Sequence, residues 1–454
     1  MDVIGDVLSR AGAWCSQNKY LGAIRNAFQN YMPLTITGAF GVIWTNVLIN
    51  KQTGLASLIP SLMVLDVLNP IFQAISFATI SCITLGITML VAQEIGQANG
   101  EQGAYPAVLG LILFMIVTPT TYQVFSKSGK FALVATTQSA NMAKAAKTFG
   151  SSLGTFVAIN EQYTGANGLF TGLIVGIVGL EIYNFYRKKE VLRISMPEQI
   201  PPGITRSFEV LIPTVLTCFT VGLISLFVQI LSGSDMNALI YSTLQLPLEH
   251  IIGDNLLAVC ILYMITMLFW CVGIHGNNLV SAIKEPIFRT LLYTNMAAYK
   301  NGQAIPHIFN LTFLQMFGEF GGSGCTIGLL IAIMIFSKRE DNRTIAGISF
   351  APALFNINET VTFGIPLVLN PILDLPFIFA PVLCIITGYI LTVIGFCPRV
   401  VVEVPWTTPP LIMGFLATGG SWRGAVSQLI VIAVATLVYL PFLLIYERTQ
   451  ERGV

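Results

Sequence analysis

Long apolar runs recur along the whole chain, separated by short polar or basic stretches. A helix needs about 20 mostly apolar residues to cross the hydrocarbon core of a bilayer. The pattern predicts an all-α polytopic membrane protein. The clear candidate spans are 28–49, 71–93, 105–122, 168–186, 208–231, 255–274, 324–337, 376–396 and 424–446.

Composition supports this fold class. The chain of 454 residues is 54% hydrophobic and 10% charged, whereas soluble domains carry about 25% charged residues. A net charge of +1 gives no support for nucleic-acid binding. The eight cysteines are scattered without a CxxC pair, so we expect neither a disulfide framework nor a metal site.

Four apolar segments differ from simple spans because glycine, proline, asparagine and glutamate interrupt them. They are 236–252, 276–320, 345–371 and 400–420. Broken backbone at membrane depth is tolerated only where protein or a water-filled cavity satisfies its polar groups. Transporters build substrate sites from such discontinuous helices, so we expect a binding site in the second half of the chain.

The first half has conventional spans and a row of glycines, "GLFTGLIVGIVG" at 168–179. Such rows let helix backbones approach closely. Internal helix packing is the preferred interpretation, and subunit association is the alternative. The first twenty residues lack a secretory signal and are expected to form an amphipathic helix on the membrane.

Basic clusters predict orientation. The stretches "YRKKEVLR" (186–193) and "SKREDNR" (337–343) should face the cytoplasm. Four lysines after the third span conflict with this scheme: Lys127, Lys130, Lys144 and Lys147. Either this region is a structured insertion on the outer side, or the third and fourth spans are misplaced.

The segment 353–371, "ALFNINETVTFGIPLVLNP", holds the most conspicuous ionisable residue, Glu359. An ionisable group inside a membrane segment is costly and marks a functional site by default. Gly364 and Pro366 follow the polar cluster and should break a helix, which predicts the tip of a re-entrant hairpin. The alternative is a buried glutamate that ties two helices together.

A second candidate is His275, in "LFWCVGIHGNNLV" (268–280). The apolar run stops there, and Asn277 and Asn278 supply amides that can bind hydroxyl groups. The alternative is an interfacial histidine held by a backbone carbonyl. The other histidines, His250 and His307, are expected to be structural.

Two further stretches are irregular. "EFGGSGCTIG" (319–328) could cradle a phosphate, but it lacks the P-loop pattern. "VEVPWTTPP" (402–410) carries Trp406, a membrane-interface anchor or a platform for a sugar ring, and Trp270 offers a second such platform. The candidate residues lack the dense charge pairs of an ion-coupled pump. They are suited to binding a neutral, hydroxyl-rich solute.

These motifs together resemble a known family. The elements "GIHGNN", "GGSGCTIGL", "FNINETVTFGIPLVLNP" and "PWTTPP" occur in this order, with "RNAFQNYMPLTITGA" (25–39) and "PEQIPPGITRSFEVLIP" (197–213) before them. They are similar to the membrane permease, enzyme IIC, of the phosphoenolpyruvate-dependent sugar phosphotransferase system. The nearest branch is the lactose/cellobiose/diacetylchitobiose one.

The resemblance implies a single enzyme IIC domain over 1–454, with about ten transmembrane helices and two re-entrant hairpins in the bacterial cytoplasmic membrane. It implies a homodimer whose scaffold is the half 1–235, and a substrate-binding half 236–454. A separate IIB protein, charged by IIA, would phosphorylate the sugar at its 6-hydroxyl from a phosphocysteine. We expect no cofactor, and neither IIA nor IIB fused here, since both ends of the chain are membrane-associated.

By position, Glu359 and His275 match the residues that engage the reacting hydroxyl, with Glu359 favoured as the base and His275 as its hydrogen-bonding partner. The expected sugar contacts are Trp270, Asn277, Asn278, Asn356, Asn358 and Trp406. Two positions depart from the family pattern: Thr360 replaces a common proline, and Glu319 replaces an apolar residue. They bear on which sugar is bound.

The expected substrate is a β-linked disaccharide or glycoside. The main rival function is a proton-coupled secondary sugar transporter that uses Glu359 and His275 as a relay. A membrane sensor that binds sugar without moving it is a third possibility.

Overall fold

The computed structural model describes residues 10, 13–14, 17–49, 56, 59–127, 130–150, 152–197, 199–365, 367 and 370–451. Helices dominate this part of the chain, as the sequence predicts. The amphipathic helix expected in the first twenty residues falls largely outside the described residues.

The elements are numbered in chain order. The helices are α1 (Lys19–Ile43), α2 (Pro60–Ser81), α3 (Ile83–Ala98), α4 (Tyr105–Val117), α5 (Ser139–Phe149), α6 (Ala166–Arg187), α7 (Pro202–Glu209), α8 (Leu211–Ser232), α9 (Met236–Gly253), α10 (Leu256–Cys271), α11 (Gly276–Lys300), α12 (Leu311–Gly318), α13 (Ile327–Phe336), α14 (Glu340–Leu354), α15 (Glu359–Gly364), α16 (Asp374–Val393), α17 (Ile412–Ala417) and α18 (Trp422–Glu451). The strands are β1 (Thr121–Lys127), β2 (Lys130–Ala135) and β3 (Ser152–Val157).

The chain folds as two compact units. The sheet unit comprises Lys19–Met32 and Ile80–Pro247, and the site unit comprises Met1–Asn18, Pro33–Thr79 and Leu248–Val454. The site unit carries every residue predicted to bind sugar. The division at 235 into a dimerisation half and a substrate half stays a prediction about function.

In the sheet unit, α3, α4 and α6 pack through the glycine row. A Cβ on Gly172 would collide with the Thr88 hydroxyl, and one on Gly179 would lie 2.6 Å from Leu113 Cδ1. Only glycine permits these approaches, because any side chain would force the helices apart. The interpretation of this row as internal helix packing is confirmed.

Between α4 and α6 lies a three-stranded antiparallel sheet with the order β2-β1-β3. Its hairpin pairs Lys127 with Lys130, and α5 carries Lys144 and Lys147. The lysine-rich region is therefore a structured insertion, and the side of the membrane it occupies stays a prediction. The predicted span 105–122 was too long, since α4 ends at Val117 and β1 begins at Thr121.

The predicted span 71–93 was also wrong, because the structure breaks it at Cys82 between α2 and α3. The carbonyl of Ser81 accepts a hydrogen bond of 2.7 Å from the Thr164 hydroxyl. This distant donor satisfies a carbonyl at the helix end, which would otherwise be left unpaired. The sequence near Cys82 does not reveal such a partner.

The segment 276–320 is predicted to be interrupted, yet its first part, α11, runs unbroken for 25 residues through Pro286. Within this helix, Glu285 and Arg289 form an ion pair of 2.5 Å one turn apart. A polar helix is stable in such surroundings because its charges are paired there. Irregular backbone begins only after Lys300.

In the described part of the chain, five helices are long and apolar enough to cross a membrane, or up to seven if each of two bent pairs counts as one span. One bent pair is Leu311–Cys325 with α13, at 60°. The helical membrane class is thereby supported, and the count of ten spans with two hairpins goes beyond it.

Candidate functional site

Four connections of the site unit carry the predicted site residues. They are the link between α10 and α11, the glycine-rich turn between α12 and α13, the turn between α14 and α15, and the segment before α17. Each joins helices at an irregular backbone, as expected for a polar site in an apolar protein.

His275 lies at the N-terminus of α11, where its Nδ1 accepts a hydrogen bond of 3.3 Å from the Asn278 amide. The ring packs on Trp270, with 4.4 Å between the ring centroids. The turn needs glycine at 276, because a Cβ there would collide with the Thr266 carbonyl. The "GIHG" motif is therefore a close-packed turn that presents one exposed imidazole.

Two polar atoms beside His275 are buried without a hydrogen-bond partner among the described residues, namely Trp270 Nε1 and Asn277 Oδ1. A buried polar atom left unpaired costs about 1–3 kcal/mol. One donor and one acceptor next to an exposed imidazole are suited to a ligand that carries hydroxyl groups.

Glu359 is the first residue of α15, and its side chain is exposed, as is that of Thr360. No ion pair of Glu359 occurs in the described part of the chain. Its charge acts electrostatically on the His275 imidazole, as does that of Glu319. The exposure of Glu359 argues against the alternative of a buried glutamate that ties two helices together.

Asn356 joins three segments. Its backbone is left-handed, with φ of 63°. Its Oδ1 accepts from the Gly321 amide at 2.7 Å, while Nδ2 donates to the Trp406 carbonyl and, at 3.3 Å, to the Thr408 carbonyl. This amide is engaged with backbone, so it holds the glycine-rich turn and the Trp406 segment in register.

Asn358 acts in the same way on the glycine-rich turn. Its Nδ2 donates to the Ser323 carbonyl at 2.9 Å. A Cβ on Gly322 would lie 2.6 Å from Asn358 Cβ, and a Cβ on Gly324 would collide with the Phe377 ring. Packing explains these glycines, and protein side chains fill the turn that could otherwise have cradled a phosphate.

Trp406 has an anchored backbone and an exposed indole, which is 41% accessible. The end of its segment is fixed by Gln428, whose Oε1 accepts from the amides of Leu411 at 2.7 Å and Gly414 at 3.0 Å. A rigid backbone that presents an open aromatic face is suited to stacking on a ring.

Sequence reasoning missed one buried ion pair near His275. Lys284 Nζ lies 2.5 Å from Glu319 Oε1, and the Tyr263 hydroxyl donates to the same oxygen at 2.7 Å. Glu319 had been noticed only as a departure from the family pattern. The sequence feature that could have revealed this ion pair is Lys284, a single basic residue within the first turns of α11.

A second missed cluster surrounds Arg289. This guanidinium, with 3% exposure, contacts Glu285 at 2.5 Å and also Glu403, which accepts from Thr35 at 3.3 Å. Glu403 lies three residues before Trp406. The expectation that dense charge pairs are lacking was therefore wrong, since two buried ionic clusters lie in the site unit.

The remaining histidines have structural partners. His307 Nδ1 lies 3.1 Å from Asp254, and its backbone amide donates to Asn295. His250 is exposed and lies 3.9 Å from the same Asp254. Among the described residues, no group of three or more metal-ligating side chains is close enough to hold a metal ion.

The fold is that of a helical membrane protein, and its irregular connections present an exposed imidazole, an exposed carboxylate and an exposed indole. The family profile "Phosphotransferase system, EIIC" matches residues 25–381. The chain belongs to this family, which confirms the resemblance drawn from its motifs.

Individual relatives agree. The oligo-beta-mannoside-specific EIIC component of Bacillus subtilis (strain 168) is 29% identical over 430 residues, covering 94% of this chain and 90% of that protein. The lichenan permease IIC component of the same organism is 30% identical over 446 residues, covering 98% and 92%.

A solved structure is also similar. The crystal structure of the transporter ChbC, the IIC component from the N,N'-diacetylchitobiose-specific phosphotransferase system, matches with a TM-score of 0.84. The two are 30% identical in sequence, and the match covers 97% of each chain. The overall architecture is therefore that of a IIC transporter.

Proposed function

We propose that this permease imports a β-linked disaccharide or glycoside of the cellobiose/diacetylchitobiose/lactose class and releases it inside as the 6-phosphate. The observation that carries the proposal is the exposed His275 imidazole, packed on the Trp270 ring beside two buried, unpartnered polar atoms, Trp270 Nε1 and Asn277 Oδ1. The relatives named for oligo-beta-mannoside, lichenan and diacetylchitobiose support a β-linked substrate.

The chemical step joins the sugar and a separate IIB protein. The 6-hydroxyl oxygen attacks the phosphorus of the IIB phosphocysteine, the P–S bond breaks, and the sulfur leaves as a thiolate. The hydroxyl proton moves to Glu359. General-base assistance of this kind contributes about 10²–10⁴-fold.

The hydrogen bonding of His275 supports this division of roles. Because Nδ1 accepts from the Asn278 amide, the neutral ring carries its proton on Nε2. That N–H donates to the hydroxyl oxygen and orients it, but cannot take its proton. Glu359, exposed and free of a basic partner among the described ion pairs, is the acceptor.

A sugar ring would stack on Trp406, and the amides of Asn277 and Asn278 would bind hydroxyl groups. Trp270 is only 4% exposed and would contribute by supporting the His275 ring. Asn356 and Asn358 contribute by fixing the loops, since their side-chain amides already bind backbone. Thr360, exposed beside Glu359, is positioned to influence which sugar fits.

The finer architecture is part of the proposal. About ten spans and two re-entrant hairpins, the second containing α15, would lie in the bacterial cytoplasmic membrane. Two copies would associate through the N-terminal half, and the IIB protein would approach from the cytoplasmic side, where the basic stretches 186–193 and 337–343 are expected.

Uptake into sealed vesicles tests the proposal. Radiolabelled cellobiose should appear inside as the 6-phosphate only when phosphorylated IIB is present on the cytoplasmic face. A proton gradient without IIB should give no accumulation. Gradient-driven accumulation of free sugar would instead establish the proton-coupled transporter, and binding without uptake in either condition would establish the sensor.

A further inference from the structure

The sheet unit contains a cavity of about 570 Å³ that has no part in the proposed sugar chemistry. Ligand cavities in proteins are roughly 300–1,000 Å³. The lining residues come from the α3–α4 connection, the end of α6, the loop after it, and α7. Those that bear charge are Glu101, Arg187, Arg193, Arg206 and Glu209.

The polar wall is built around a buried carboxylate. Glu101, only 7% exposed, contacts Arg187 at 3.0 Å and Arg206 at 2.8 Å. Both guanidinium groups are therefore fixed in orientation before any ligand arrives. One carboxylate shared by two guanidiniums leaves a positive charge that it does not neutralise.

A third arginine adds to this charge. Arg193 Nη2 lies 3.8 Å from Glu209, which is too long for a hydrogen bond, and its side chain is exposed. Arg187 Nε is buried and has no hydrogen-bond partner among the described residues. Among the described lining residues, three guanidinium groups outnumber two carboxylates, so this part of the cavity carries excess positive charge.

The lining also includes apolar side chains, those of Met196, Ile200 and Val210. The adjoining helix α7 exposes Phe208, and α7 and α8 together form a candidate membrane span of which only 17% is buried. The cavity is thus lined by basic residues and lies beside a helix that belongs to a candidate membrane span. The stretch 186–193 contributes Arg187 and Arg193 to the cavity lining. The same stretch is predicted to face the cytoplasm.

We propose that this cavity binds the phosphate headgroup of an anionic phospholipid of the inner leaflet. The phosphate would accept hydrogen bonds from Arg193 and Arg206, and the glycerol and first acyl carbons would lie on Met196 and Ile200. Arginine pairs with phosphate through two parallel hydrogen bonds, and basic clusters beside a span attract anionic lipids. A soluble phosphate ester offers the same charged group without acyl chains.

Binding of short-chain lipids to the purified full-length protein in neutral detergent tests the proposal. The probes are dioctanoyl phosphatidylglycerol, dioctanoyl phosphatidylcholine and sn-glycerol 3-phosphate, with dissociation constants measured by native mass spectrometry. We expect phosphatidylglycerol to bind tightest. Arg193→Gln and Arg206→Gln should each weaken it about tenfold, because a hydrogen bond to a charged group is lost.

Two further variants test whether the charge of the cavity lining controls lipid binding. Glu209→Gln removes a negative charge from the wall and should tighten phosphatidylglycerol binding. Arg339→Gln removes an exposed arginine paired with Asp341 in the site unit and should leave binding unchanged. If Arg206→Gln fails to fold, Arg193→Gln and Glu209→Gln still test lipid binding. Both should fold, because the ion pair between Arg193 and Glu209 is long and exposed.

Equal binding of the two lipids, or equal losses in Arg193→Gln and Arg339→Gln, would overturn the proposal. Binding of glycerol 3-phosphate as tight as that of phosphatidylglycerol, with the same dependence on Arg193, would overturn the lipid assignment in favour of a soluble ester.

Discussion

The two units differ in the regularity of their backbones, although both contain buried ion pairs. In the sheet unit, α3, α4 and α6 are regular helices that approach through glycines and small residues. In the site unit, two buried ionic clusters lie among irregular turns. Among the described residues, the non-glycine residues with positive φ are Cys325, Asn356 and Leu411, all in the site unit.

This difference follows from the kind of side chains that each unit packs together. Close helix packing needs only small side chains and produces a rigid body. A polar site in an apolar protein needs unpaired hydrogen-bonding groups and turns, and strained backbone of that kind persists only where surrounding contacts hold it. The ionic clusters and the Asn356 amide supply those contacts in the site unit.

The largest expected effect is on catalysis in the site unit. Glu359→Gln should lower the rate of sugar phosphorylation by about 10²–10⁴-fold, because the hydroxyl proton loses its acceptor, while sugar binding and Tm change little. Single-turnover transfer from phosphorylated IIB measures this. The control is Glu340→Gln, another exposed glutamate in the first turn of a helix; an unchanged rate in Glu359→Gln would remove it as the base.

Next is the buried pair beside His275. Lys284→Met leaves Glu319 buried with Tyr263 as its remaining donor, and it should destabilise the protein by about 3–5 kcal/mol. The double variant Lys284→Met/Glu319→Leu removes both charges and should recover most of the loss. Thermal unfolding in detergent measures both, and additive losses in the double variant would contradict a coupled pair.

A smaller effect is expected where Asn356 ties the loops together. Asn356→Gly keeps the positive φ but removes the hydrogen bonds to Gly321, Trp406 and Thr408. KM for the sugar should rise roughly tenfold, equivalent to about 1.4 kcal/mol, because the Trp406 face is no longer held in place. Asn356→Ala adds backbone strain and should also lower Tm; an unchanged KM in both would show that the Trp406 segment is fixed by other contacts, such as Gln428.

A substitution in the sheet unit should change the stability of the protein without changing sugar binding. Gly172→Ala places a methyl group against the Thr88 hydroxyl and should lower stability by about 1–3 kcal/mol through overpacking. KM for the sugar should not change. Gly22→Ala, where a Cβ meets open space, is the matched control, and a change of KM in Gly172→Ala would show that packing in this unit influences the site.

Much of the fold could be predicted from the sequence. The predicted spans 168–186, 208–231, 376–396 and 424–446 each correspond to a long helix, because an apolar segment in lipid must satisfy its own backbone. The motif residues Glu359 and His275 could also be found, since polar residues in apolar surroundings are conspicuous.

The amino-acid sequence by itself determined the membrane class, the positions of most helices and the family. It did not determine which polar residues are partners. Lys284 with Glu319, Arg289 with Glu403, and Asn356 with the Trp406 carbonyl are joined only in the folded chain. The physical reason is that helix formation depends on local periodicity, whereas pairing of buried charges and amides depends on which distant segments the packing brings within hydrogen-bond reach.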